Sequence, residues 1–286
     1  MDTPDDTPQP GQPRRFWTRR RFLTAGLLAA AGTASYGWWE ADRLECNVIR
    51  LPKGLLPGIP RLRILHLSDM HDDVAMLRRA IDKGIEAKPD FAAFTGDLVT
   101  SFTRLARTRS YIEPLKYLAE SIPCYACYGN HDMEKLESVE RIFQTAGIRI
   151  LRNESALWTA PDGRTLRIAG IGDWTEGDED PGKCLQPLSD GTPPQPVIVL
   201  SHNPESRFAL EDYYWNLMLC GHTHGGQIGI PFTGKYLSFR GDMVAGLYPF
   251  DGKCDNRQVF VTRGVGNIGG MRFFCPPEID ILEYGG

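Results

Sequence analysis

Two histidines one residue apart, His222 and His224, lie between glycines in the segment "LCGHTHGGQIGI" (residues 219–230). Five of the six histidines of the chain directly follow short apolar runs, and several carboxylates and an amide follow similar runs. Imidazole and carboxylate ligands together suit divalent metals such as Mn, Fe, Co, Ni or Zn, whereas soft sites need thiolates and Ca or Mg sites need oxygen ligands. The histidines therefore indicate a metal site.

The spacing of these residues favours two metal ions. Asp69 and His71 can present both side chains to one point, and so can His222 and His224. Seven ligands are too many for one ion but match two ions that share a carboxylate, as in phosphoester-cleaving sites whose ions lie about 3.5–4 Å apart. The seven candidate ligands are Asp69, His71, Asp97, Asn130, His202, His222 and His224.

Two cations at one site support phosphoester hydrolysis. They lower the pKa of a bridging water and neutralise the phosphoryl oxygens in the transition state. We expect the resulting metal-bridging hydroxide to attack phosphorus in line. An imidazole can donate a proton near neutral pH, so we expect His131 to be the general acid for the departing oxygen.

Alternating strand and helix patterns predict the scaffold that positions these residues. Residues 61–68 form a predicted strand, and "DDVAMLRRAIDKGIEAKPD" predicts a helix capped by Asp72. The alternation continues with a strand at "FAAFTGD", a helix at "YIEPLKYLAESI", a strand at "CYACYGNHD" and a helix at "KLESVERIFQTAG". The last helix is expected to end at Gly147, and the chain after Ile148 is rich in strands. A largely parallel sheet is expected, with ligands at the carboxyl ends of its strands.

The motifs D-x-H, G-D, G-N-H-D, a single H after a strand, and G-H-T-H occur in the order seen in calcineurin-like metallophosphoesterases. The chain resembles that family from about Leu62 to Tyr284, and the full set of motifs is highly specific. The segments "GGQIGIPF", "AGLYPF", "VTRGVGN" and "MRFFCPPEI" are similar to those of its exported bacterial phosphodiesterases, which carry twin-arginine signals.

The resemblance implies an α/β fold, a four-layer α/β/β/α sandwich of two mixed β-sheets flanked by helices. It implies two divalent metal ions, with Mn, Fe or Zn expected. His131 resembles the family histidine that contacts the scissile phosphate. The implied ligands are Asp69, His71 and His224 for one ion, Asn130, His202 and His222 for the other, and Asp97 as the bridge.

Several other polar residues are expected to be structural. His66 lies in the body of a strand and is predicted to be a hydrogen-bonded core histidine, and Asp132 to be a helix cap or a support for the ligands. Cys124 and Cys127 would face opposite sides of a buried strand, which argues against a redox or zinc pair. Three arginines could contact a substrate phosphate but are expected to be structural: Arg240, Arg263 and Arg272.

The N-terminus carries an export signature, because residues 18–24 resemble a twin-arginine signal. The charge-free segment at residues 22–39 is at the lower length limit for a membrane span, so membrane association there is expected. We interpret residues 1–34 as a signal or N-terminal anchor, residues 35–60 as leading into the domain, and residues 61–286 as the phosphoesterase domain. The export machinery is therefore an expected partner, with the periplasm or the outer face of the cytoplasmic membrane as the location.

The composition argues against several classes of protein. A chain of 286 residues with 42% hydrophobic content favours one main domain, and a net charge of −4 argues against a dedicated nucleic-acid binder. Seven cysteines, an odd number, argue against a disulfide scaffold.

We expect a metal-dependent phosphodiesterase acting on a small-molecule or envelope substrate. One alternative is a pyrophosphatase acting on a nucleotide-linked lipid intermediate, which would need an apolar groove. Another is a non-catalytic metal-holding envelope protein, which would have no need of His131.

Overall fold

The structure is a computed structural model that describes residues 19–100, 109–191, 193, 195–238, 241–250, 252–254 and 256–285. Residues 1–18 of the predicted export segment and Arg240 lie outside the described residues. The chain divides into two compact units, residues 1–36 and residues 37–286. The described part of the first unit belongs to helix α1 (Arg19–Ala41). Among the described residues, no helix is both long and apolar enough to span a membrane.

A six-stranded mixed sheet forms one half of the second unit. Across the sheet, with strands numbered in chain order, its strands are β1 (Glu45–Arg50), β14 (Glu278–Tyr284), β2 (Leu62–Leu67), β3 (Phe91–Thr95), β4 (Cys124–Cys127) and β5 (Arg149–Ile150). Strands β2 to β5 run parallel, whereas β14 is antiparallel to β2 and parallel to β1.

A second six-stranded mixed sheet forms the other half. Its four inner strands are parallel, and its two outer strands are antiparallel to their neighbours. In order they are β12 (Gly246–Phe250), β13 (Arg257–Val261), β9 (Leu217–Cys220), β8 (Val197–Leu200), β7 (Thr165–Gly170) and β6 (Glu154–Thr159). A separate antiparallel hairpin consists of β10 (Ile228–Ile230) and β11 (Lys235–Leu237).

The two sheets pack face to face around a buried apolar layer that includes Phe91, Ile198 and Phe260. Successive side chains of a strand point to opposite faces, so Ile64 enters this layer whereas Leu65 packs on the outer side of the first sheet. Both faces are buried, which is why these strands are continuous apolar runs. The predicted fold of two mixed sheets flanked by helices is confirmed.

Helices cover the outer face of the first sheet. The elements are α2 (Val74–Glu86), α3 (Arg109–Ser121), the single turn α4 (Asn130–Met133) and α5 (Leu136–Ala146). Gly147 ends α5 in the left-handed conformation, with φ of 82°, as predicted. On the outer face of the second sheet, the described residues form short 3-10 helices and loops around Trp215 instead of α-helices. Prolines begin or precede these turns, and they limit helix propagation.

Helix α2 is capped by a different residue from the one predicted. The Asp73 carboxylate accepts a hydrogen bond from the Met76 amide at 2.8 Å and is the N-cap. Asp72 instead accepts hydrogen bonds from the hydroxyls of Thr100 and Tyr111, each at 2.6 Å. The prediction of Asp72 as the cap is therefore wrong, because neighbouring hydroxyls occupy its carboxylate.

Sequence periodicity missed five strands, namely β1, β6, β10, β11 and β12. The segment at residues 35–60, expected only to lead into the domain, contributes β1 to an edge of the first sheet. All seven cysteines lie within the described residues, and none of them forms a disulfide. Cys124 packs among the helices and Cys127 between the sheets, which confirms that they face opposite sides.

Replacing the N-cap tests the origin of helix α2. Asp73→Ala removes the acceptor for the Met76 amide, so we expect the free energy of unfolding to fall by about 1 kcal/mol. Glu86→Ala, at an exposed position of the same helix, should change it by less than about 0.5 kcal/mol. Urea unfolding followed by circular dichroism measures both; equal effects would contradict the assignment of the cap.

Candidate metal centre

The eight candidate residues come directly after five parallel strands of the two sheets. Parallel strands end at one edge, and packing the two sheets face to face brings both edges together. The residues are Asp69 and His71 after β2, Asp97 after β3, Asn130 and His131 after β4, His202 after β8, and His222 and His224 after β9.

The first cluster consists of Asp69, His71 and His224, all buried, whose ligand atoms lie within 4.8 Å of one another. The Nε2 atoms of His71 and His224 are 2.9 Å apart, and His224 Nε2 lies 3.2 Å from Asp69 Oδ1. Metal–nitrogen bonds of about 2.0–2.1 Å at right angles place two ligand atoms about 3 Å apart. The nitrogen spacing therefore fits two ligands of one ion.

The second cluster consists of Asn130, His202 and His222, with Asp97 beside it. His222 Nδ1 lies 3.0 Å from Asn130 Oδ1 and 3.3 Å from His202 Nε2. His202 Nε2 lies 3.2 Å from Asp97 Oδ2. An amide oxygen, two imidazole nitrogens and a carboxylate therefore converge as a second ligand set.

Asp97 lies between the two clusters. Its Oδ2 atom is 3.5 Å from His71 Nε2 on one side and 3.2 Å from His202 Nε2 on the other. Its Oδ1 atom accepts a hydrogen bond from the His131 amide at 2.9 Å. This position is the one expected of a shared carboxylate.

His131 lies at the margin of the centre and is only partly buried. Its ring is 5.3 Å from the ring of His71, centroid to centroid, in an edge-to-face arrangement. One of its ring nitrogens lies within 4.8 Å of ligand atoms of His71 and Asp97. His131 is therefore close enough to act on a group held at the centre.

The electrostatics of the centre favour added positive charge. Burial alone would raise the pKa of Asp69, but His224 and His71 hold it well below its usual range. Burial alone would lower the pKa of His202, yet Asp97 raises it to about 10. In the metal-free protein, a proton on His202 therefore offsets part of the carboxylate charge, and cations would take over that role.

Five of the candidate residues have a backbone conformation that is rare for residues other than glycine. Such left-handed conformations cost about 1–3 kcal/mol each and cluster at functional sites. The residues and their φ angles are Asp69 (55°), His71 (42°), Asp97 (53°), His222 (71°) and His224 (53°).

Two glycines, Gly221 and Gly129, leave the space that the carboxylates of Asp69 and Asp97 occupy. A Cβ atom on Gly221 would lie 2.0 Å from Ser68 Oγ and 2.1 Å from Asp69 Oδ2. A Cβ atom on Gly129 would lie 2.2 Å from Asp97 Oδ1. Both glycines are needed for steric reasons, because these carboxylates pack against the bare backbone.

Sequence reasoning missed two groups of supporting residues. The Thr95 carbonyl accepts a hydrogen bond from His202 Nδ1 at 2.8 Å, which leaves His202 Nε2 as the ligand atom. The loop at residues 263–267 covers Asp69, whose carbonyl accepts a hydrogen bond from the Gly266 amide at 2.7 Å. The glycines of "TRGVGN" were the available signal for this loop.

Four of the residues expected to be structural, His66, Asp132, Arg263 and Arg272, have structural partners, whereas the prediction for Arg240 is untested because it lies outside the described residues. His66 Nε2 lies 2.8 Å from Thr95 Oγ1, and burial lowers the pKa of His66 to about 3. The Asp132 carboxylate accepts hydrogen bonds from the amides of Leu98, Val99 and Gly129. Arg263 pairs with Glu278 and Glu45, and Arg272 donates to backbone carbonyls of the 263–267 loop.

The sequence profile of calcineurin-like phosphoesterases matches residues 62–226, more than half of the chain. The chain belongs to the calcineurin-like phosphoesterase family. This phosphoesterase is 34% identical to phosphodiesterase YaeI of Escherichia coli strain K12, over 93% of the chain and 98% of that protein. It is 26% identical to LpxG of Chlamydia trachomatis, a UDP-2,3-diacylglucosamine pyrophosphatase, over 91% of the chain and 97% of that protein.

Solved structures show weaker overall similarity to this phosphoesterase. NAD nucleotidase NadN of Haemophilus influenzae has a TM-score of 0.47 and 16% identity over 72% of the chain and 45% of that protein. The protein TT1561 of Thermus thermophilus has a TM-score of 0.43 and 16% identity over 66% of the chain and 92% of that protein.

Adding one methyl group at Gly221 should disrupt the centre. Gly221→Ala must displace the Asp69 carboxylate, so we expect reduced metal content and activity about 100-fold lower, because small misplacements are costly in catalysis. Gly182→Ala, whose Cβ would lie 3.4 Å from its nearest neighbour, is the matched control. Elemental analysis and diester hydrolysis report the outcome, and a fully loaded, active Gly221→Ala protein would contradict this geometry.

Metal removal should lower thermal stability, because the buried carboxylates then lose their cations. A ligand at about 100 times its Kd stabilises the native state by about 2.7 kcal/mol, which corresponds to about 5–10 °C in Tm for a domain of this size. We expect a shift of that order when Mn²⁺ is added to chelator-treated protein, and a much smaller one in Asp97→Ala. Equal Tm values with and without Mn²⁺ would refute the site.

Proposed function

We propose that this phosphoesterase is a phosphodiesterase that depends on two divalent metal ions. The observation that carries the proposal is the position of Asp97, whose Oδ2 atom faces His71 of one cluster and His202 of the other. When bound, two cations would lower the pKa of water and neutralise the phosphoryl oxygens of the substrate.

The donor set supports Mn, Fe or Zn, since imidazole and carboxylate ligands suit these borderline metals. The geometry of the two clusters supports the division of ligands that the family resemblance implies. One ion would be held by Asp69, His71 and His224, the other by Asn130, His202 and His222, with Asp97 shared.

His131 would donate the proton that the leaving oxygen requires. Its amide is fixed by a hydrogen bond to Asp97, so the ring is anchored beside the centre. Its partial exposure allows the ring to regain a proton from solvent after each turnover. A protein that only held metal would need no such residue, which argues against the non-catalytic alternative.

A phosphodiester substrate is supported by the similarity to YaeI, a phosphodiesterase, along nearly the whole chain. A pyrophosphatase acting on a nucleotide-linked lipid is the second candidate. It is favoured by the similarity to LpxG and by a cavity of about 250 Å³ in which Leu237 and Ile268 lie next to His222 and His224. Apolar side chains beside the centre would suit a lipid chain.

We further propose that the protein is exported by the twin-arginine pathway and acts in the periplasm or at the outer face of the cytoplasmic membrane. The proposal rests on the motif at residues 18–24. The apolar side chains of helix α1 that are exposed support membrane association of residues 22–39: Phe22, Leu23, Leu27 and Leu28.

The proposed activity is tested by comparing bis(p-nitrophenyl) phosphate with p-nitrophenyl phosphate in Mn-loaded protein. We expect the diester to be preferred. On a diester whose leaving group is an alkoxide, His131→Ala should lower kcat about 100-fold or more while the metal content is kept, because that leaving oxygen needs the proton of the general acid. Asp97→Ala should lose both metal and activity, because both clusters depend on this carboxylate.

An active Asp97→Ala protein would contradict the two-metal proposal. Preference for a nucleotide-linked lipid pyrophosphate over the diester would favour the second candidate. Two bound metals with no turnover of any of these substrates would favour the non-catalytic alternative.

A further inference from the structure

Five exposed apolar side chains lie on a hairpin and a loop next to the candidate metal centre, and we call them the apolar rim. Four belong to the β10–β11 hairpin and its turn, and one to the loop before Arg272. Their exposed fractions are 44% for Ile228, 38% for Ile230, 106% for Phe232, 50% for Leu237 and 46% for Ile268. Apolar side chains clustered in this way usually mark an interaction site.

The hairpin places its apolar residues on one outer face. Ile228 and Ile230 are two residues apart and point the same way, and Leu237 lies directly opposite Ile228 in the register. The other face is covered, since a Cβ atom on Gly229 would lie 2.1 Å from the carbonyl oxygen of Phe274. The exposed face is therefore fixed in orientation.

The rim is held rigidly by the neighbouring loop. The Gly229 amide donates to the Phe273 carbonyl at 2.6 Å, and the Phe273 amide donates to the Gln227 carbonyl at 2.9 Å. The Gln227 side chain donates to the Ile268 carbonyl at 2.7 Å and accepts from the Ile268 amide at 2.9 Å. Both parts of the rim thus move as one surface.

Phe232 has a conformation that local energetics disfavour. It is in the turn "PFTG" with φ of 63°, where glycine or asparagine would be less strained. Its side chain projects fully into solvent. The strained backbone and the exposure of the ring to water both cost free energy. An apolar environment around Phe232, which the isolated chain does not provide, would remove the cost of exposure.

The rim is continuous with the metal centre. Leu237 and Ile268 line the same cavity as His222 and His224. A bilayer that receives these exposed side chains would bring its phosphate-containing headgroups next to the candidate ligands His222 and His224.

We propose that the apolar rim inserts into the surface of a lipid bilayer. Lys235, directly opposite Ile230 on the exposed face, would meet anionic headgroups. Trp38 and Trp39, 61% and 59% exposed, lie in the segment whose Gly37 contacts Phe273, and tryptophan favours the membrane–water interface. The proposal concerns the five side chains of the apolar rim; Trp38 and Trp39 belong to residues 22–39, whose own membrane association is a distinct proposal.

Vesicle partitioning of the full chain tests the proposal. The probe is vesicles made of equal parts phosphatidylethanolamine and phosphatidylglycerol, without substrate, so the result does not depend on the proposed activity. Phe232→Ser should lower the partition coefficient about tenfold, because the variant loses the free energy that a partly inserted phenyl ring gains on leaving water. Leu157→Ser, at a residue 51% exposed on β6 and outside the rim, should leave it unchanged. Any contribution of the N-terminal helix is common to both variants.

A local probe gives an independent answer. Bromine-labelled acyl chains should quench the fluorescence of Phe232→Trp more than that of Leu157→Trp, beyond the background of the native tryptophans. Equal partitioning of the two serine variants, or equal quenching of the two tryptophan variants, overturns the proposal. Loss of self-association in Phe232→Ser by sedimentation velocity, with no change in vesicle binding, would overturn it in favour of a second copy of the chain.

Discussion

Two buried carboxylates, Asp69 and Asp97, impose the constraint on which the rest of the centre depends. Their oxygens lie within 4.8 Å of each other and of His202, and both residues are almost completely buried. Two like charges at that separation repel by about 3.5 kcal/mol at an effective dielectric constant of 20. The structure surrounds them with imidazoles and with the backbone amides of His131 and His222, and cations would balance their charge more fully than protons do.

The scaffold is arranged to hold that pair of charges. Parallel strands β2 and β3 are neighbours, so the residues after them must emerge side by side. The second sheet contributes its histidines from β8 and β9, which are also neighbours. Five of the eight candidate residues have a left-handed backbone conformation where the chain turns after a strand, and Gly129 and Gly221 let the backbone pass close to the carboxylates. The free energy gained by packing the apolar sheets offsets the backbone strain and the buried charges of the site.

The sequence predicted what depends on local pattern. Strand ends, the helix that ends at Gly147 and the eight candidate residues were readable, because burial on both faces produces apolar runs and the candidate residues follow those runs directly. Features that depend on tertiary contacts could not be predicted in this way. One example is the N-cap of α2, which is Asp73 because hydroxyls distant in sequence donate hydrogen bonds to the carboxylate of Asp72. The strands of the β10–β11 hairpin are too short to show a period, and the exposure of Phe232 depends on how that hairpin packs.

The central claim is that the two clusters hold one cation each with Asp97 between them. Anomalous diffraction from crystals grown with Mn²⁺ tests it most directly, because it locates metal without assuming any activity. Two peaks about 3.5–4 Å apart are expected, one beside His71 and His224 and one beside His202 and His222. A single peak, or manganese bound away from these side chains, would contradict it.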